Sequence, residues 1–436
     1  DRLGIFSMHD FHYHEGTLHC EGVNLADLAI QHGTPLYVYS ANTILEHYRR
    51  LSSALSDLDH HIAFAVKANS NLSILKLLNE EGADFDIVSG GELFRVIRAG
   101  GTANKCTFAG VGKTREEIEY SLNEKIYCFN VESEAELRFI NQIAEERNEI
   151  APVAIRVNPN VDAKTHKYIS TGKSENKFGI DFEFIEGLYE TAATDLKNIE
   201  LRGLQMHIGS QLSEVKPFVE AVQRVAPLAE KLKQKHGIEF FSIGGGIGIV
   251  YEDALASGKE SWWQENGEDK APITIEEYAA NLVPILAPLG LKIMLEPGRL
   301  IVGNAGILIS KILYKKIGTA KTFAIADAGM GDLIRPALYQ GHHDIVPIQQ
   351  TSSENETVDI VGPICESGDF FAQDRELPKL KEGEMIGMLS SGAYGFVMAS
   401  NYNSRTLPAE VLVSGESHEL IRKRQTYDDL INGEII

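Results

Sequence analysis

At 436 residues, with 43% hydrophobic and 24% charged residues, the chain is too long for one ordinary core and too apolar for a disordered protein, so two or three domains are expected. Forty-one basic against sixty-two acidic residues leave a net charge of -21, which argues against nucleic acid or an anionic membrane as partner; any anionic ligand needs a local site. No apolar run approaches the ~20 residues of a spanning helix, and no charged, apolar and small-residue leader opens the chain, so a cytoplasmic protein is expected. The first residue is Asp1 rather than methionine, which leaves room for residues upstream. Cys20, Cys106, Cys128 and Cys365 lie far apart, a spacing that suggests neither a disulfide framework nor a zinc knuckle.

In chain order, "FHYHEGTLHCEGVNL" alternates like a hairpin, and alternation on a terminal strand is expected to split its histidines between faces rather than gather a metal. From residue 35 to 300 the chain then repeats a strand followed by a helical segment. The strands read "HIAFAVKAN", "ADFDIVS", "KCTFAG", "IYCFN", "PVAIRVNP", "LRGLQMHIG", "FFSIGGGIG" and "KIMLEPG". Amphipathic stretches such as "NLSILKLLNEEG" and "SEAELRFINQIAEER" stand between them. Eight such units predict an α/β fold of the (β/α)8 TIM-barrel type. A doubly wound sheet is the alternative, but no phosphate fingerprint follows the first strand. "GVGKTREE" fails as a phosphate loop because Thr107 stands where its first glycine should be. "HKYISTGKSENKFGI" fits a mobile lid as well as a plain loop, and "SGKESWWQENGEDKAP" reads as an exposed insertion. Beyond 300 the strands come with turn-rich connections, so residues 301–436 together with 1–34 are expected to form a second, β-rich domain of barrel or sandwich type. Within it "GHHDIVP" reads as an exposed loop.

In a barrel, chemistry belongs where strands end. Lys67 ends the first strand and Asp86 and Ser89 the second. Arg156 ends the fifth, His207 and Ser210 the sixth, Gly244, Gly245 and Gly246 the seventh, Glu296 and Arg299 the eighth. A glycine-rich turn and a serine present N–H groups and a hydroxyl to a phosphate. His207 can stack on a flat heterocycle, Glu296 can hold a proton on its ring nitrogen, and a buried Lys67 can act as an amine nucleophile. Together these describe a pyridoxal 5'-phosphate site that needs no metal.

The stretches "FAVKANSN", "DIVSGGEL", "MHIGSQ", "GGGIGI", "EPGRLIVGNAG", "RPALY", "GPICESGDFFAQDRELP" and "GAYGF" resemble the fold type III pyridoxal phosphate-dependent decarboxylases with an alanine racemase-like barrel. Within them they resemble the branch acting on meso-2,6-diaminopimelate. The resemblance runs from "GTPLYVYS" to "NSRTLPAEVLV". It implies a Schiff base at Lys67, ring stacking by His207 and a ring-nitrogen contact by Glu296. It places the phosphate with Ser210, Gly244 to Gly246, the backbone at Gly298 and Arg299, and Tyr394, while Asp86, Glu92 and Arg156 support Lys67 and the ring. It implies a homodimer with composite sites, in which Cys365 and Glu366 of one subunit reach Lys67 of the other, and Cys365 across the interface or Lys67 is the candidate proton donor. Arg299, Arg335, Tyr339, Glu366 and Tyr394 match substrate-binding positions, a set that suits a diamino diacid. The implied reaction yields L-lysine and carbon dioxide, the last step of lysine biosynthesis. The rivals are decarboxylases of lysine, ornithine, arginine or carboxynorspermidine, and a non-catalytic cofactor-binding regulator.

Overall fold

The computed structural model describes residues 8–162, 177–266, 272–351 and 353–436. The chain divides into two compact units, one of residues 47–248 and 272–300 and the other of 1–46, 249–271 and 301–436.

The first unit is a closed barrel. Its strands are β1 (His60–Ala65), β2 (Asp84–Ile87), β3 (Cys106–Phe108), β4 (Cys128–Val131), β5 (Ala151–Asn158), β6 (Ile199–Gln205), β7 (Phe240–Ser242) and β8 (Lys292–Leu295). Each pairs in parallel with the next, and β8 pairs with β1. These are the eight strands expected from the sequence. Helices intervene, and side-chain caps set their starts: Asn71, Ser89, Thr114, Ser133 and Thr274 each accept a backbone N–H of the first turn, which satisfies donors the helix leaves open. Thr114, in the failed phosphate-loop pattern, completes a capping box with Glu117. The helix Ile185–Asp195 between β5 and β6 was not anticipated. Most of the lid candidate, and residues 267–271 of the insertion candidate, lie outside the described residues; residues 260–266 of the insertion are helical.

Polarity in the barrel lumen changes at one level. Ala63, Cys128, Ala154, Phe240 and Met294 form one buried cluster. Gly203 leaves room for it, because a Cβ there would lie 2.5 Å from the Phe240 ring. Strand side chains alternate between faces, so residues two positions further on face the lumen again. Those positions hold Ala65, Asn130, Arg156, Ser242 and Glu296. Asp86 stands in register with Ala65, and Gln205 with Arg156 and Ser242. An apolar floor thus carries a polar layer towards the C-terminal ends of the strands.

The second unit is built on a nine-stranded mixed sheet centred on Gly306–Ile317. Leu36–Ser40, which a boundary at residue 35 leaves on the barrel side, pairs here with Gly306–Ile317 and Ala409–Ser414. Its five residues are all buried, as a strand covered on both faces requires. The N-terminal histidines form the expected hairpin, Phe11–His14 with Thr17–Cys20. Its histidines split between faces as expected: His12 and His19 are in register with rings 6.0 Å apart and His14 lies against His19, while Cys20, in register with Phe11, is buried on the opposite face and His9 is buried against Phe11.

Candidate active site

Lys67 lies just past β1 in a single 3-10 turn, Val66–Ala68. Its Nζ stands 3.3 Å from Oδ2 of Asp86, with the lysine side chain 37% exposed and the carboxylate fully buried. The expectation of a buried lysine is therefore corrected: the turn lifts the amine to the mouth of the lumen while its partner stays below. Burial pushes the Asp86 carboxyl up, and the Lys67 charge opposes that shift.

Across the lumen, Oε1 of Glu296 accepts from the Ser242 hydroxyl at 2.7 Å and Oε2 from the Gln205 amide at 2.9 Å. Burial carries its carboxyl up to about 7. Gln205 and Ser242 were missed in the sequence, although each sits two residues past a residue of the apolar floor level, Gly203 and Phe240. His207 is half-buried beyond β6, and Nδ1 of its ring accepts the Gly245 N–H at 3.2 Å, which leaves the proton on Nε2. Burial, helped by the charges of Lys67 and Arg156, holds this imidazole well below its usual range and keeps it neutral.

At the rim, Arg299 Nη2 donates to the Ser210 hydroxyl at 3.0 Å. The turn Gly244 to Gly246 packs so closely on the end of β8 that a Cβ on Gly245 would stand 2.2 Å from the Glu296 carbonyl oxygen. Only glycine allows that approach. A Cβ on Gly298 would come within 2.9 Å of that of Ala68, so the chain after β8 sits against the Lys67 turn. Glu92 does local work: its backbone N–H goes to the N-cap Ser89 Oγ and its Oε2 takes the N–H of Val88, the residue before the cap, at 2.7 Å. Burial pushes its carboxyl up to about 7.

The residue most clearly missed is Glu132, just past β4 and 4% exposed. Both its oxygens take Nη1 of Arg156, at 3.0 and 3.1 Å. They also accept the N–H groups of Gly110 at 2.9 Å and Gly179 at 3.1 Å. One carboxylate thus ties together the segments after β3, β4 and β5. Its signal was its place at a strand end, the same signal that marked Lys67 and Glu296.

Several atoms of the lumen have no hydrogen-bond partner among the described residues, although they are buried: Asp86 Oδ1, Thr107 Oγ1, Gln205 Oε1 and both amide atoms of Asn130. Leaving such groups unmet is costly. A polar layer left incomplete, beneath a rim of hydroxyl, guanidinium and glycine turn, fits a ligand with an anionic end and a heteroaromatic ring, as pyridoxal phosphate has.

The remaining expected site residues belong to the second unit. Cys365 and Glu366 are exposed on a loop that Asp369 holds by accepting the N–H groups of Met330 and Ile364, both at 2.6 Å. The Cys365 N–H donates to Asn403 Oδ1 at 2.8 Å. Tyr394 has a φ of 55°, a left-handed conformation costing a non-glycine residue about 1 kcal/mol. Arg335 and Tyr339 bound one short helix. Arg335 is buried and Tyr339 half-buried.

Residues 41–303 match the family model described as pyridoxal-dependent decarboxylase, pyridoxal binding domain. The chain is 47% identical over 423 residues to diaminopimelate decarboxylase of Vibrio cholerae serotype O1, covering 96% of this chain and 97% of that one. It superposes with a TM-score of 0.86 on diaminopimelate decarboxylase from Helicobacter pylori complexed with L-lysine, at 40% identity over 94% of this chain and 98% of that one. The enzyme of the same name from M. jannaschii, also in co-complex with L-lysine, gives a TM-score of 0.90 at 36% identity over 99% of both. Among the described residues no helix is long and apolar enough to cross a membrane.

Proposed function

The chain belongs to the diaminopimelate decarboxylase family of pyridoxal-dependent decarboxylases, and from that premise we propose that it converts meso-2,6-diaminopimelate to L-lysine and carbon dioxide as a cytoplasmic homodimer. The observation that carries the reading is the lumen itself. An amine on a buried carboxylate, Lys67 on Asp86, shares one barrel end with a carboxyl fixed at both oxygens, Glu296, in a chain 47% identical to a decarboxylase of that substrate.

When bound, pyridoxal phosphate supplies an aldehyde that takes up an amine and a protonated ring that draws electrons from it. Lys67 would hold its aldehyde carbon, and His207 would stack on its ring. Ser210, the Gly244 to Gly246 turn, the backbone at Gly298 and Arg299, and Tyr394 would hold its phosphate. Glu296 is placed for its carboxylate to keep a proton on a ring nitrogen, while Ser242 and Gln205, each donating to one of its oxygens, prevent it from turning away. Asp86 orients the Lys67 amine and takes up its positive charge. Glu132 anchors Nη1 of the Arg156 guanidinium beside that pair. The neutral His207 offers a flat face without adding a third positive charge beside Lys67 and Arg156.

On the substrate side, Arg299 and Arg335 bind the carboxylate that is retained and Glu366 the distal ammonium, with Tyr339 and Tyr394 completing the pocket. The exposed thiol of Cys365 from the partner subunit delivers a proton to the α-carbon after carbon dioxide leaves.

The test is carbon dioxide release from meso-diaminopimelate, lysine, ornithine, arginine and carboxynorspermidine, each with the cofactor-loaded protein. Preferred turnover of diaminopimelate is expected. Preference for any of the other four overturns the substrate.

A further inference from the structure

The stretch expected as an exposed loop, "GHHDIVP", contains one of the most buried histidines of the second unit. His343 is 1% exposed and Arg335 6%, and Nη1 of Arg335 lies 2.7 Å from Nε2 of His343. On its other side His343 Nδ1 lies 2.7 Å from the carbonyl oxygen of Leu389. A carbonyl only accepts, so Nδ1 carries a proton. A guanidinium only donates, so Nε2 presents a lone pair. The two contacts agree on one neutral tautomer, and a second ring proton would point at a guanidinium N–H. Tyr251 completes the arrangement: the Arg335 guanidinium carbon lies 4.3 Å from the centre of its ring, and the same ring meets His343 edge-on at 5.4 Å and 83°.

These contacts constrain Arg335 in complementary ways. The Tyr251 face sets the plane of the guanidinium, and the His343 lone pair sets its rotation within that plane. A carboxylate in the place of His343 would also orient the guanidinium, but it would cancel part of its charge. A neutral imidazole orients it without adding a negative charge of its own beside it. We infer that His343 is a positioning residue that, with Tyr251, aims Arg335 at the carboxylate the substrate retains and so sets selectivity for an amino acid over a plain diamine. The inference rests on the assignment of Arg335 to a substrate carboxylate.

The experiment compares binding of L-lysine, which keeps that carboxylate, with binding of cadaverine, which lacks it, by calorimetry on the cofactor-loaded protein. His343→Asn keeps an amide for Leu389 but is too short to reach Arg335, whereas His343→Gln reaches Arg335 with a carbonyl oxygen. The asparagine variant is expected to bind L-lysine about tenfold more weakly with cadaverine unchanged, and the glutamine variant to recover most of the loss. In turnover the asparagine variant raises KM for diaminopimelate more than it lowers kcat. Tyr251→Leu removes the stacking ring and gives a second, independent loss for L-lysine alone. Unchanged L-lysine affinity in both His343→Asn and Tyr251→Leu overturns the inference, provided Arg335→Ala abolishes the preference for L-lysine. If Arg335→Ala itself leaves that preference intact, the assignment of Arg335 fails instead.

Discussion

Arg156 and Glu132 meet inside the barrel end with one guanidinium nitrogen held by both carboxylate oxygens, and both side chains are almost fully buried. Removing one partner of such a pair leaves the other charge uncompensated, at a cost of about 3 to 5 kcal/mol. Glu132→Ala is therefore expected to lower the melting temperature markedly. Glu132→Gln keeps one acceptor oxygen, enough for the Gly110 or the Gly179 N–H but not both, and removes the charge that fixes Arg156, so it is expected to destabilise less than Glu132→Ala and to weaken pyridoxal phosphate binding about tenfold. Cofactor titration and thermal melts of both variants check this; wild-type affinity in Glu132→Gln removes Arg156 positioning from the account.

Lys67 is half-exposed, so its loss leaves the fold standing while Asp86 takes a proton. Lys67→Ala is expected to fold, to lose the yellow absorbance of the cofactor linkage and to lose turnover. Borohydride treatment of the wild type should fix the cofactor to the peptide containing Lys67. A Lys67→Ala protein that keeps both colour and full turnover would sink the assignment.

Glu296 sets a pH dependence whose direction follows from its raised pKa. In the folded, cofactor-free protein its carboxyl keeps a proton up to about 7, against the usual 4.5. Between those values the unfolded chain binds fewer protons than the folded one, so stability falls as pH rises through the window and levels off above it. Glu296→Gln removes its share of that slope and leaves the share of Glu92, whose carboxyl is likewise raised to about 7. The cofactor-free variant should melt higher than wild type at about pH 8 and equally near pH 4.5. Parallel melting curves across the range would contradict the assignment.

The proposed sharing of each site between the two subunits of a homodimer makes a prediction of its own. Cys365→Ala and Lys67→Ala should each be slow or inactive, yet co-expressed in equal amounts they should recover about one quarter of wild-type turnover, since half the dimers are mixed and each carries one intact site. No recovery in verified mixed dimers would rule out sharing across subunits.

The eight barrel strands were legible because each is a short apolar run bounded by turn residues, and five of them lead to a helix started by a side-chain cap, information local to about thirty residues. Lys67, Asp86, His207 and Glu296 were legible because a barrel gathers strand ends, so position along a strand stands in for position in space. Glu132, Gln205 and Ser242 carry the same signal but have no chemistry conspicuous enough to mark them singly. His343 was read as an exposed loop residue because two adjacent histidines after a glycine look polar. The carbonyl of Leu389 and the guanidinium of Arg335 that bury it are remote or hidden from a linear reading.

By itself, then, the sequence determined the barrel, the second β-rich region and the residue types at the strand ends, since periodicity and chain order act locally. Tertiary structure alone decided which polar atoms meet: that Lys67 rides at the lumen mouth over a buried Asp86, that Glu296 is fixed at both oxygens, that one carboxylate ties three loops. Hydrogen bonds depend on distances of a few tenths of an ångström and on which groups lose water. Those quantities exist only once remote segments are packed together.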